Sequence, residues 1–366
     1  MKKVNYLTST GILLLVAGSS VYAKAGTPIS FAPVVPTALA VGTTHACALM
    51  SNGAVKCWGS NAYWAIAQDP LLVHVVTSPK TIPLPESAVA ISAGDQFTCA
   101  IGTSQLVYCW GDNREGQMPV FPIGIDPLPT VVQTPTELSG AQDFGEAFSI
   151  AAGGHHLCLS HVDLACYGDQ EMTLLGGVHA TAGSEHTCVD SGCWGDNRYG
   201  QLGLGFTSAW EPYSSLPMSF VDIETGSSAN TTCGLKSDNT LWCWGRNIMG
   251  QVGNGTTSTA AFPQLIMTGA TTSATGATNS CAIRSGTVFC WGANQAGQLG
   301  IGLANSTIYS LPVASLIKQG ATSVAVGASF ACAIVGNSVE CWGSNVYGQL
   351  GNGTLTSSAS PVYAIP

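Results

Sequence analysis

The stretch that decides the fold is His45-Ala-Cys47-Ala-Leu-Met-Ser-Asn52-Gly53-Ala-Val-Lys-Cys57-Trp58-Gly59. Asn52-Gly53 near its middle is a hairpin turn signal between two runs containing apolar residues. Two antiparallel strands folding there bring Cys47 opposite Cys57. Facing Cα atoms of such a pair lie about 4.5–5.5 Å apart, within disulfide reach. Alternation then sends Trp58 to the other face of the sheet, where it can pack against a neighbouring element.

The same text recurs along the chain. Cys-aromatic-Gly stands at Cys57-Trp58-Gly59, Cys109-Trp110-Gly111, Cys166-Tyr167-Gly168, Cys193-Trp194-Gly195, Cys243-Trp244-Gly245, Cys290-Trp291-Gly292 and Cys341-Trp342-Gly343. The intervals are 52, 57, 27, 50, 47 and 51 residues. Periods near 50 point to a propeller or another closed array. Every copy has an upstream partner, which gives the pairs Cys47–Cys57, Cys99–Cys109, Cys158–Cys166, Cys188–Cys193, Cys233–Cys243, Cys281–Cys290 and Cys332–Cys341 and uses all 14 cysteines. Zinc motifs usually place two ligands two to four residues apart. The cysteines here are five to ten apart with no recurring second pair, so we expect seven disulfides, no metal and no other cofactor. A tail follows most copies: Asn197-Arg-Tyr-Gly-Gln-Leu-Gly203, Asn247-Ile-Met-Gly-Gln-Val-Gly253, Asn294-Gln-Ala-Gly-Gln-Leu-Gly300, Asn345-Val-Tyr-Gly-Gln-Leu-Gly351 and, more weakly, Asn113-Arg-Glu-Gly-Gln-Met118. The first and third copies read as having lost it.

Composition fits short strands and tight turns. Hydrophobic residues make up 46 % of the 366 positions and Gly occurs 44 times. Charged residues make up only 8 %, against roughly 25 % in average soluble domains. At the N-terminus, Lys2 and Lys3 precede the apolar run Gly11–Gly18, and small residues follow around Ala23 and Ala25. This is the chemistry of a signal peptide over residues 1–23. Its apolar run is shorter than the roughly 20 residues a bilayer span needs, so no membrane anchor is expected after cleavage. An exported chain, periplasmic or extracellular, meets the oxidising conditions that seven disulfides require. The net charge is −9 and the Lys and Arg residues are scattered. Without a basic patch, nucleic acid is a poor partner.

The first half of the repeat reads Gly42-Thr-Thr-His45-Ala-Cys47-Ala-Leu49. Together with Cys-Trp-Gly-x-Asn and Gly-Gln-Leu-Gly it resembles the repeat of the regulator-of-chromosome-condensation family, over roughly Ala40 to Pro366. The resemblance implies an all-β, seven-bladed propeller over 40–366 with four-stranded blades and, given the pairs above, one intrablade disulfide in each. Residues 24–39 read as a Pro-rich leader or ring-closing strand. The short interval between Cys166 and Cys193 implies a trimmed third blade and a notch beside the fourth. Pro119 to Pro135 should project as a long loop.

Candidate sites come last because the repeat explains most polar residues. His45, His156 and His186 stand two residues before the first Cys of a pair, in a column that elsewhere holds Phe97, Thr231, Asn279 and Phe330. A position that accepts Phe reads as packing between blades, not as a metal or catalytic cluster. Asp112-Asn113, Asp169 and Asp196-Asn197 follow the aromatic motif beside Gly and read as turn residues. No nucleophile elbow, phosphate-binding loop or kinase signature occurs, so an enzyme is not expected. Trp64, Trp210 and Tyr213 fall outside the repeat frame and are the candidate protein-binding anchors. The expected function is a secreted or periplasmic monomer that binds another protein through its loop face. Within the family this resembles the secreted propeller that inhibits β-lactamase. The alternative implied by the family's name-giving member is a bacterial effector acting on the host Ran GTPase cycle as a guanine-nucleotide exchange factor.

Overall fold

The seven cysteine hairpins become the two middle strands of seven four-stranded antiparallel sheets. The computed structural model describes residues 21–22, 28–29, 32–69, 73–119, 130–138, 147–169, 172–174, 179–317 and 319–366. Most of the expected signal segment, 1–23, and residues 120–129 of the Pro-rich stretch therefore lie outside the described residues. Val21–Tyr22 pairs with Pro28–Ile29 in a unit of its own. Each blade is continuous in sequence. The first comprises Pro36–Val41, His45–Met50, Val55–Ser60 and Val75–Thr81. The seventh comprises Ala321–Val326, Phe330–Val335, Ser338–Gly343 and Ser358–Ile365.

Every disulfide joins directly opposed residues of a blade's second and third strands. Their Cα atoms lie 4.0–4.1 Å apart. The Gly of Cys-aromatic-Gly has φ between +98° and +114° in all seven blades, a region that other residues rarely enter. It faces the His45 column: Gly59 opposes His45, Gly111 opposes Phe97 and Gly343 opposes Phe330. A Cβ on Gly59 would lie 2.6 Å from Thr44 O. The Gly three residues before that column serves a different need. A Cβ on Gly42 would lie 2.4 Å from the His45 ring, and one on Gly94 2.0 Å from the Phe97 ring. The Gly-x-x-His motif is thus a ring folded over its own glycine.

The tryptophans at 58, 110, 194, 244, 291 and 342 are all buried, and most core clusters join residues of neighbouring blades. The ring closes on the same terms. Trp58 donates from Nε1 to Gln349 O at 2.9 Å, and Trp58, Leu350 and Ile365 share one cluster.

The third blade keeps four strands. It is trimmed in length, with an outer strand of only three residues, Met172–Leu174, against eight in Ser208–Ser215 and nine in Ala260–Thr268. In the second blade Val131–Glu137 is an outer strand paired with Val107–Asp112, so the end of the expected loop belongs to the sheet.

Candidate recognition surfaces

The tails build one face. In each, the Asn side chain accepts the backbone N–H five residues on: Asn113 from Met118 at 2.7 Å, Asn197 from Leu202 at 3.2 Å and Asn345 from Leu350 at 2.9 Å. The Gln side chain accepts the N–H two residues back, as Gln201 does from Tyr199 at 2.9 Å. Asn, Gln and the apolar residue after it are buried in every full tail, whereas the two residues after Asn point outward. Those pairs are Arg114-Glu115, Arg198-Tyr199, Ile248-Met249, Gln295-Ala296 and Val346-Tyr347, and they differ at every blade.

The first copy keeps this turn without its glycines. Asn61 Oδ1 accepts Ile66 N at 3.1 Å, and Trp64 and Ala67 hold φ of +66° and +50° where other tails place Gly. Sequence reading missed it because the Gly and Gln letters are gone. The conserved signal was Asn61 followed five residues later by the apolar Ile66. Trp64 is half-buried in this turn, next to exposed Tyr63, over which Arg114 stacks at 4.2 Å.

Trp210 and Tyr213 lie on the outer strand of the fourth blade, away from Trp64 in the first. Trp210 is 54 % exposed. Tyr213 is half-buried, tilts against Trp194 at 6.3 Å between ring centroids, and bonds Ser191 Oγ through its hydroxyl at 2.9 Å. The three aromatics therefore do not form one cluster.

The histidines bridge blades. His45 Nε2 lies 2.9 Å from Thr98 Oγ1, His156 Nε2 lies 2.9 Å from Thr187 Oγ1, and His186 Nε2 lies 2.8 Å from Thr232 Oγ1. Burial pushes His45 down to about 4. Burial, with a smaller effect of His156, pushes His186 down to about 3. These two rings are neutral at physiological pH and act as hydrogen-bonding spacers. Among the described residues no group of three or more His, Cys, Asp or Glu could hold a metal ion.

A further feature is illegible in the sequence. The first strands of the first five blades, with Cys188, Val189 and Asp190 from the fourth blade, line a cavity of about 400 Å³. Two of its lining residues bond each other, Ser227 Oγ donating to Val41 O at 3.4 Å. His179, Asp190, Asp222 and Glu224 line the side belonging to the fourth and fifth blades. Desolvation, then the neighbouring Asp222, pushes the Glu224 carboxyl up to about 8. Asp222 is raised by desolvation and by Asp190, against an opposing effect of His179. These residues come from three separate segments at no repeat spacing, so only the folded ring assembles them.

Comparison with known proteins agrees with this architecture. Two family models described as "Regulator of chromosome condensation (RCC1) repeat" match residues 37–63, 88–117 and 220–251, and residues 238–283 and 285–334. The human E3 ubiquitin-protein ligase HERC2 is 28 % identical over 200 residues, which is 46 % of this chain, and the match spans 4 % of that protein's length. Human WBSCR16 superposes with a TM-score of 0.68 at 18 % identity, covering 80 % of this chain and 85 % of that one. Prp20p of Saccharomyces cerevisiae superposes with a TM-score of 0.52 at 20 % identity, covering 90 % and 76 %. At such identities the structures speak for the fold alone. With the repeat matched over residues 37–63, 88–117 and most of 220–334 and with seven disulfide-stapled four-stranded blades, the protein belongs to the regulator-of-chromosome-condensation repeat family.

Proposed function

We propose that this chain is an exported protein-binding propeller that recognises its partner through the face carrying the tail turns. One observation carries the reading: each tail buries its Asn, Gln and apolar residue and exposes two residues that vary from blade to blade. Fixed turns with variable tips are how a rigid scaffold presents a recognition surface. Tyr63, Ile248, Val346 and Tyr347 are exposed there among Arg114 and Arg198, the mix of apolar and Arg side chains favoured at interface centres. Trp64 belongs to this face and is a candidate anchor. Seven disulfides suit an oxidising compartment, which supports export. Among the described residues no helix is long and apolar enough to cross a membrane.

The test is capture of a partner from the native compartment, then titration of the purified partner against a Tyr63→Ala, Ile248→Ala, Tyr347→Ala triple variant. We expect an unchanged melting curve and a loss of about 2 kcal/mol or more of binding. Equal affinity for both proteins would sink the loop-face reading. The Ran alternative draws on the family and on Prp20p, a relative in fold with reported binding to Gsp1p and histones. Faster release of a fluorescent nucleotide from Ran on adding this protein would replace our reading with that one.

A further inference from the structure

The tails also lock neighbouring blades together, and of the two seams without an indole bond one has Tyr167 in place of the tryptophan while the other keeps its tryptophan, Trp194. At five seams the indole N–H of a blade donates to a main-chain carbonyl of the preceding tail: Trp58 to Gln349, Trp110 to Ala65, Trp244 to Gln201, Trp291 to Gln251 and Trp342 to Gln298, at 2.8–3.0 Å. Four of these five tails then cross the outer strand of the next blade two residues before a proline. Gly205 donates to Ala261 O, Gly255 to Ser310 O, Gly302 to Ala359 O and Gly353 to Thr77 O, at 2.7–2.8 Å. The prolines are Pro263, Pro312, Pro361 and Pro79. Indole and outer-strand residue thus lie on one strip, which the tail covers.

In the fourth blade both places are without a tail among the described residues. Trp194 is 1 % exposed and, among the described residues, its Nε1 has no acceptor. Leaving a buried donor unpaired is costly, and native proteins rarely do so without a reason. Trp210 stands two residues before Pro212, where four other blades place Ala, Ser or Thr beneath a tail, and it is 54 % exposed. A large indole there excludes the chain's own type of tail and offers a flat ring instead. Tyr213 tilts on Trp194, and Trp210 stands three residues before it on the same outer strand.

Aromatic rings beside an unpaired indole donor have the chemistry that recognises polyproline II segments. Such segments present unpaired carbonyls, lack N–H groups at proline, and lose little entropy on binding because they are already extended. We propose that the seam between the third and fourth blades docks a proline-rich segment of a partner protein, which supplies a main-chain carbonyl to Trp194 Nε1–H and lies across Trp210 and displaced Tyr213. The proposal rests on the protein-binding reading only in taking a polypeptide as ligand, because this strip is not the tail face.

The test uses the full chain, ¹⁵N-labelled, titrated with decaproline while the indole N–H resonances are followed. Loss of one peak in Trp194→Phe assigns Trp194. We expect that peak to shift saturably while the already bonded indoles of Trp58, Trp110, Trp244, Trp291 and Trp342 stay still. Trp210→Ala should melt like the wild type and bind at least tenfold more weakly. If Trp194→Phe does not fold, Trp210→Ala together with the shifting peak still decides. An unmoved Trp194 peak, equal binding by Trp210→Ala, or an equal response to a Gly-Ser decapeptide would overturn the proposal. Each of those results leaves the tail-face reading standing, since the Tyr63, Ile248, Tyr347 variant tests that separately.

Discussion

The seam between the seventh and first blades joins the two ends of the ring, yet it carries the full lock. Trp58 is bonded to Gln349, Gly353 N–H to Thr77 O and Ala328 N–H to Thr43 O. The seam between the third and fourth blades is continuous in sequence, yet among the described residues it lacks the tail lock. There His156 meets Thr187 and Gly154 N–H meets Gly183 O, while Trp194 Nε1 goes unpaired. Chain continuity and possession of the lock are therefore separate in this propeller. Nearest-neighbour coupling in repeat proteins leads one to expect that the tail sets how firmly two blades hold together.

The largest expected effect breaks that comparison directly. Trp58→Phe and Trp194→Phe remove the same atoms from two buried sites. The first leaves Gln349 O without its donor, and the second removes a donor that had no acceptor. Since an unsatisfied buried group costs about 1–3 kcal/mol, Trp58→Phe should be the more destabilising by about 2–4 kcal/mol. Urea unfolding of both variants at matched slope measures the difference. Equal losses would mean that the indole bond does not set seam strength.

The seams were legible in part. Seven disulfides, seven blades and the packing role of the His45 column follow from residue types at fixed offsets, because each is a local consequence of strand alternation and hairpin pairing. The turn around Trp64 escaped because a backbone conformation can persist after its favoured residue is replaced. The locks were legible only as Gly-Gln text, since the carbonyl that accepts the indole belongs to the backbone and has no letter. The cavity escaped altogether, since His179, Asp190, Asp222 and Glu224 meet only when the ring closes.

That cavity sharpens the same asymmetry. The first blade offers it Leu39, Ala40 and Val41, whereas the fourth and fifth offer the acids. Unfolded Glu224 ionises near 4.5, and the folded carboxyl near 8. Between those values the unfolded chain has released a proton that the folded chain keeps, so stability is fully present below 4.5 and falls as pH rises through 8. Glu224→Gln lacks this loss. One pH unit in pKa corresponds to about 1.4 kcal/mol, and the half-buried carboxyl's solvent screening reduces the total, so the variant should gain roughly 2 kcal/mol over wild type at pH 9 and little at pH 4.5. Melting temperatures of both proteins across that range test it, and a difference that does not change with pH would remove Glu224 from the account.

The smallest expected effect concerns the seam between the first and second blades, which has the lock without the glycines. Trp110 still donates to Ala65 O at 3.0 Å, but Trp64 holds its turn at φ +66°. A left-handed conformation costs a non-glycine residue about 1–2 kcal/mol, and glycine escapes that cost. Replacing Trp64 loses the contacts of a half-buried indole whichever small residue follows. Trp64→Ala keeps the backbone cost and Trp64→Gly removes it, so Gly should exceed Ala by about 1 kcal/mol. The reverse change at the fourth blade's tail checks the geometry: a Cβ on Gly200, at φ +71°, would also lie 2.5 Å from Ala261 Cα. Gly200→Ala should therefore lose more than the Trp64 pair differ. If Ala and Gly at 64 are equally stable, the first tail relaxes to another turn and its lock depends on Asn61 alone. If Gly is the better of the two, Trp64 holds its turn at a backbone cost that its indole contacts have to offset. Only a Trp64→Gly protein more stable than the wild type would then point to a role for Trp64 beyond folding.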